Sequence, residues 1–282
     1  MHDLAELESA NAYCRLLARR HYENFTVVSM LLRGQVALDL MRIYAYCRTT
    51  DDLGDESGSA ALERLERWRG EVSDLFAGRA PVHPVLIALR ETVSRCRLGA
   101  HPFTDLIAAN VQDQRVVSYE SWPELQSYCE LSAAPVGRMV LAAFGIDGPR
   151  ARALSDDVCI GLQLANHAQD VKRDAARGRC YLLQSDLRSG GTAVAVGALC
   201  DRARTLLASG VELESMAPFM LRVQLALYRL GGLAIVSAIE RTGYRTDVVR
   251  PSVSKAVKAG LLLRACLGGL RENRHARKLE TA

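Results

Sequence analysis

The 282-residue chain contains no Gly-x-Gly-x-x-Gly and no P-loop. That argues against a nucleoside triphosphate and against NADPH or another Rossmann-bound nicotinamide. Its eight cysteines form no Cys-x-x-Cys. They sit mostly in apolar helical contexts, where cysteine behaves as a small hydrophobe, so a reduced setting is expected and not a zinc site or disulfide framework. No Ser–His–acid set stands out: His21, His83, His101 and His167 are isolated. Of these, His21 is singled out because it precedes the turn that delivers Asn24 and Phe25. No apolar run approaches twenty residues, and the acidic N-terminus MHDLAELESANAYC lacks the apolar stretch of a signal peptide. Neither a membrane span nor export is expected, and the location expected is cytoplasmic. Linkers, low-complexity tracts and fixed-period repeats are missing too, so residues 1–282 are read as one domain. The net charge of +4 is too modest to argue for nucleic acid.

What is present is helix. Convincing alternating strands are missing, and apolar residues recur at helical spacing almost throughout. The pattern predicts helices over 4–20, 35–52, 61–76, 84–97 and 103–117, the second ended by Gly54 and the small-residue stretch at Gly58–Ala60,. A further helix opens at Ser121-Trp122-Pro123 and runs towards Phe144, with a kink at Pro135,. The next follows the Asp147-Gly148-Pro149 turn, Gly190-Gly191 marks a break, and helices near 194–207, 218–241 and 252–270 complete the chain. About ten helices with short loops describe an all-α bundle.

Two polar clusters interrupt this apolar background. In QLANHAQDVKRDAARGR, Gln163, Asn166, Asp170 and Asp174 recur at steps of three, four and four. That spacing aligns all four on one helical face. Upstream, in YAYCRTTDDLGDE, Asp51 and Asp55 share a face, with Asp52 and Glu56 a second pair beside it. These acids fall at a helix C-terminus, where the helix dipole disfavours negative charge, so a compensating cation is expected. Either cluster alone reads more readily as a solvated helix surface than as a site. Two of them, stacking amide and carboxylate oxygens on apolar helices, point to an occupied site.

Carboxylates and amides without His or Cys suit a hard cation, and Mg²⁺ takes few protein ligands besides phosphate oxygens and waters. A di-iron bundle needs paired Glu-x-x-His motifs; only Glu272–His275 fits, in the basic tail. The expected arrangement is Mg²⁺ around a polyphosphate, with Arg48, Lys172, Arg173, Arg177 and Arg179 available to the outer oxygens.

The two Asp-rich motifs, in this order on an all-α chain, resemble the squalene/phytoene synthase family. HYENFTVVSMLL, QDQRVVSYESW, YCELSAAPVGRMVL and GGLAIVSAIERTGY add to the likeness, which is closest to the hydroxysqualene synthase branch of bacterial hopanoid biosynthesis. The resemblance implies the isoprenoid (trans-prenyl diphosphate) synthase bundle with a central apolar cavity. Asp51, Asp55, Asn166, Asp170 and Asp174 match its metal ligands, the four aspartates being catalytic, with two or three Mg²⁺ ions bridging the diphosphate. Tyr44, Arg48, Asp113, Tyr128, Gln163 and Tyr181 match further residues lining the site, and His21, Arg173 and Arg179 join them as candidates for the diphosphate pocket. The implied chemistry is ionisation of an isoprenoid diphosphate, the cation then being coupled or quenched.

Four positions depart from that branch. His167 and Ala168 stand where bulky aromatics are common, Leu183 where a proline is expected, and Ala134 where a polar residue is usual. Ala134, His167 and Ala168 are taken as specificity-tuning. They motivate one rival, prenyl transfer to a non-isoprenoid acceptor; a rival of another class is a non-catalytic isoprenoid-binding subunit. The cations Arg250, Lys255, Lys258, Arg264, Arg271, Arg274, Arg277 and Lys278 interleave with LLLRACLGGL. They read as a solvated basic helix end or as a peripheral contact with an anionic membrane.

Overall fold

The structure, a computed structural model, describes residues 2–20 and 32–280, with side chains over 4–19 and 32–268. Contacts divide the chain into two compact units, Met1–Arg115 with Leu131–Asp147, and Val116–Glu130 with Gly148–Ala282.

The first unit is built from α1 (His2–Arg20), α2 (Gly34–Asp55), α3 (Ala61–Phe76), α4 (Pro84–Cys96), α5 (His101–Gln112) and α7 (Ala134–Ala143), the last preceded by α6 (Trp122–Ser132). Its core gathers Leu40, Ile43, Tyr46, Leu65, Trp68, Leu86, Leu89, Phe103 and Met139. Tyr46 stacks on Trp68 at 5.7 Å, meets Phe103 edge-on at 4.9 Å, and donates its hydroxyl to the Phe103 carbonyl at 2.9 Å. A buried polar network ties α1, α2 and α4 together. Arg42 donates to Asn11 and Thr92, Thr92 donates to Asp39, and Arg95 closes onto the other Asp39 oxygen.

The second unit contains α8 (Pro149–Gln169), α9 (Val171–Ala176), α10 (Gln184–Ala208), α11 (Gly210–Met216), α12 (Phe219–Glu240) and α13 (Lys255–Glu280). The α8–α10 crossing is close because Gly161 lacks a side chain. A Cβ there would lie 3.1 Å from the Ala203 carbonyl and 3.0 Å from Leu207. Within α10, Gly191 at φ 73° supplies the expected break,.

Several expectations need correction. Two short strands, β1 (Ser118–Tyr119) and β2 (Cys180–Leu183), pair in parallel, although no strand is readable in the sequence. The kink at Pro135 is a full break, with α7 starting afresh at Ala134 and Pro135 in its first turn, where the missing N–H costs nothing,. Gly54 does not end α2, which runs to Asp55. The helix bearing the second motif is not continuous: it stops at Gln169 and restarts at Val171. Among the described residues one helix, α12, has the length and hydropathy to cross a membrane. Its Arg222 donates to the Glu214 and Ala217 carbonyls and its Arg229 pairs with the Glu214 carboxylate, which is the environment of a packed protein helix. All eight cysteines are unpaired, and Cys14, Cys129 and Cys200 are fully buried as small hydrophobes.

Candidate functional site

The first motif closes α2. Arg48, one turn before the acids, pairs with Asp52 and reaches Glu56 at 3.3 Å. This is the cation that a negatively charged helix C-terminus requires. Asp51 is left facing Asn110 of α5, whose amide donates to it at 3.3 Å. The approach depends on Gly54: a Cβ there would lie 2.4 Å from the Asn110 side-chain oxygen. Gln114, four residues on, donates to the Gly54 carbonyl at 3.1 Å. Crowding by protein atoms pushes the Asp51 carboxyl up to about 6, the Asn110 amide opposing and the Asp55 charge adding to the rise. Asp51 is nonetheless solvent-exposed, so water screens that rise,. Tyr44 is half-buried on the same helix, its hydroxyl pKa raised by burial. Asp113 caps α5 one turn beyond Asn110. Asn110 and Gln114 are missing from the residues assigned from sequence. Their helical spacing was visible, but not their partners across the fold.

The second motif lies in the other unit. Gln163 and Asn166 sit on α8, half-buried and exposed respectively. Asp170 takes φ −101°, ψ 16° between the two helices, its N–H bonded to the Asn166 carbonyl at 2.9 Å and its carbonyl accepting from Asp174 N–H at 2.8 Å. The hydrogen-bonded path therefore continues through the break, and Asp174 follows on α9. Its carboxyl is pushed up to about 6, by burial first and then by the Asp170 charge, against Arg177, Arg173 and Arg179. Asp170 itself is engaged by Arg250, from the segment after α12.

Beside this motif lies an aromatic cluster. His167 stacks on Tyr181 with centroids 3.8 Å apart, Tyr181 on Tyr128 at 5.5 Å, and Tyr119 packs against both tyrosines. The Tyr128 and Tyr181 hydroxyls approach to 3.5 Å. Burial pushes the His167 imidazole down to about 3, so it is neutral, and its Nε2 is buried with no hydrogen-bond partner. The β1–β2 pairing carries Tyr119 and Tyr181 into this cluster. Ala134 and Ala168 are fully buried. Arg173 is exposed and Arg179 half-buried. His21 lies outside the described residues.

Among the described residues no three His, Cys, Asp or Glu side chains converge as a ready-made cation cage. The donors still fit a hard divalent ion completed by phosphate oxygens. They are carboxylates and an amide, and in each motif a crowded carboxyl is raised further by its own neighbouring carboxylate. A nearby cation relieves that strain.

A model of the family described as squalene/phytoene synthase matches residues 18–257. Phytoene synthase 1, chloroplastic, from Solanum lycopersicum is 30% identical over 283 residues, covering 91% of this chain and 67% of that one. The chain spans 66% of the corresponding Arabidopsis thaliana protein. The crystal structure of squalene synthase HpnC from Alicyclobacillus acidocaldarius superposes with a TM-score of 0.80 at 41% identity, over 85% of this chain and 96% of that one. A dehydrosqualene synthase in complex with ligand superposes at 0.83 with 22% identity, over 93% and 97%, a likeness of fold.

Proposed function

The chain belongs to the squalene/phytoene synthase family, and from that premise we propose that it is a Mg²⁺-dependent enzyme ionising an isoprenoid diphosphate. The substrate we favour is presqualene diphosphate, with water quenching the cation to hydroxysqualene, and both units acting as one catalytic domain. The observation that carries the reading is the geometry of the two Asp-rich motifs, Asp51 held by the Asn110 amide at the end of α2 and Asp174 following Asn166 and Asp170 across the α8–α9 break, with a carboxyl raised to about 6 in each. Carboxyls raised by burial first, and then by a neighbouring carboxylate, are favoured by a bound cation, which a solvated helix surface does not need,.

In this reading Asp51, Asp55, Asn166, Asp170 and Asp174 hold the metal ions. Bound Mg²⁺ supplies Lewis-acid stabilisation of the departing diphosphate. Arg173 and Arg179, flanking the second motif, take outer phosphate oxygens, with Tyr44, Arg48, Asp113, Gln163 and His21 as further pocket residues. Tyr119, Tyr128 and Tyr181 offer ring faces to a carbocation and keep water from it until the intended step. A neutral His167 in that cluster suits the task, because an imidazolium would repel the cation. Exposed Leu263 and Leu267, with Lys255, Lys258 and Arg264 on the same helix, support peripheral contact with an anionic membrane,.

Incubation with presqualene, farnesyl and dimethylallyl diphosphates, with and without Mg²⁺, tests the proposal. Metal-dependent diphosphate release and hydroxysqualene by mass spectrometry are expected from the first. Release from none of the three refutes the reading. A prenylated non-isoprenoid acceptor from dimethylallyl diphosphate moves the chain to the rival chemistry.

A further inference from the structure

We propose that Arg250 is a built-in counter-ion of the second motif, competing with a divalent cation for the Asp170 carboxylate. The inference rests on the reading of Asp170 as a metal ligand. Arg250 lies in the connection between α12 and α13, 80 positions from Asp170. Its Nε donates to one Asp170 oxygen and its Nη2 to the other at 3.3 Å, so the planar fork covers both oxygens,. Nη2 also lies 3.4 Å from the Gln169 side-chain oxygen. The same connection is fastened twice more. Gln169 Nε2 donates to the Pro251 carbonyl at 2.7 Å, and Lys172 Nζ donates to the Val248 carbonyl at 3.3 Å. Three residues around the break in α8–α9 are thus tied to one short segment. The guanidinium takes one lone-pair site on each oxygen and neutralises the charge that would attract a cation, so the two compete for this carboxylate,. Arg173 is only 4.0 Å from Asp170 Oδ2, close enough to add charge without taking a hydrogen bond.

The buried Gln169–Pro251 bond does not involve Arg250, so the segment keeps an anchor when Arg250 is changed. That separates competition from support. A residue that merely holds the motif in shape weakens metal binding when removed; a competing counter-ion strengthens it.

Mn²⁺ titration of the full chain, followed by the electron paramagnetic resonance of free Mn²⁺, gives the sign. Relative to wild type, Arg250→Gln should bind Mn²⁺ roughly threefold to tenfold tighter, as befits a partly exposed pair. Arg250→Lys, which keeps the charge but not the fork, should fall between them. Arg173→Gln should tighten binding less than Arg250→Gln. Unchanged or weaker binding in Arg250→Gln, with circular dichroism intact, overturns the proposal, as does equal tightening in Arg173→Gln. Should Arg250→Gln not fold, Arg250→Lys without tightening overturns it as well. Asp170→Asn should weaken Mn²⁺ binding. If it does so while Arg250→Gln has no effect, the metal assignment stands and the competition fails; if Asp170→Asn binds like wild type, the metal assignment itself fails.

Discussion

Replacing Asp174 by asparagine should stabilise the chain and disable it at once. The Asp174 carboxyl is raised from 3.8 to about 6, by burial and then by Asp170, with Arg177, Arg173 and Arg179 in partial opposition. At about 1.4 kcal/mol per pH unit, that rise costs at most about 3 kcal/mol when the group is ionised. Water reaches the half-buried side chain, so screening reduces the figure to about 1–2 kcal/mol,. The sign follows from linkage. The native state binds this proton more tightly than the unfolded chain, so the stability tied to the protonated form is complete below about pH 4. It is lost as pH rises through about 6. Asparagine keeps the shape and never ionises. In EDTA at pH 7.5, urea unfolding should therefore show Asp174→Asn more stable than wild type by about 1–2 kcal/mol, with the gap shrinking towards zero at pH 4. Turnover with Mg²⁺ should fall by about 10²-fold or more, since in the proposed mechanism Asp174 would be a ligand to the metal that stabilises the departing diphosphate. A variant no more stable than wild type at pH 7.5, or a gap unchanged by pH, would refute the electrostatic account of the site.

Gly161→Ala places a Cβ against the Ala203 carbonyl and Leu207 at the α8–α10 crossing, and should cost about 1–3 kcal/mol by thermal or urea unfolding; no loss would mean the crossing is looser than described. Gly54→Ala collides with Asn110 and turns its amide away from Asp51, so turnover should drop while stability changes by about 1–2 kcal/mol at most, and a fully active variant would show that Asn110 is dispensable. His167→Phe keeps the stack on Tyr181 and removes the unpartnered Nε2. It should leave stability unchanged or raise it by about 1 kcal/mol, while the product mixture, read by mass spectrometry, shifts; a loss above about 2 kcal/mol would contradict the environment assigned to it. Asp51→Ala and Asp170→Ala should each lower turnover on the order of 10²-fold or more, and survival of activity in both would remove the metal mechanism.

Local periodicity made the helices and both Asp-rich motifs readable. The 61–76 helix falls where its apolar spacing puts it, and Gly190-Gly191 breaks α10 as two adjacent glycines should. Non-local partners decided the rest. Nothing in NHAQDVKRD, which has neither glycine nor proline, signals that the helix stops at Asp170; what accompanies the break is a guanidinium 80 positions away and a glutamine bonded to the Pro251 carbonyl. The two strands are too short to show an alternation, and their pairing joins residues about 60 positions apart. Gly54 reads as a helix terminator by propensity, yet it is an interior residue kept small for Asn110,. Arg250 was visible only as one cation in a basic C-terminal series.

These misses have a common origin. Secondary structure is legible where local preference and global packing agree, and a functional motif is where they are expected to part. The first motif stacks acids at the wrong end of a helix and answers them with Arg48. The second interrupts a helix whose spacing would otherwise continue, and answers it with Arg250. In each, a carboxyl remains raised to about 6 against nearby arginines, Arg48 at Asp51 and Arg177, Arg173 and Arg179 at Asp174, because burial and a neighbouring carboxylate outweigh them. A fold selected for stability alone would remove such carboxyls. That cost on both motifs is the physical reason for proposing Asp51 and Asp174 as cation ligands, and it is why Asp174→Asn should raise stability and lower turnover together.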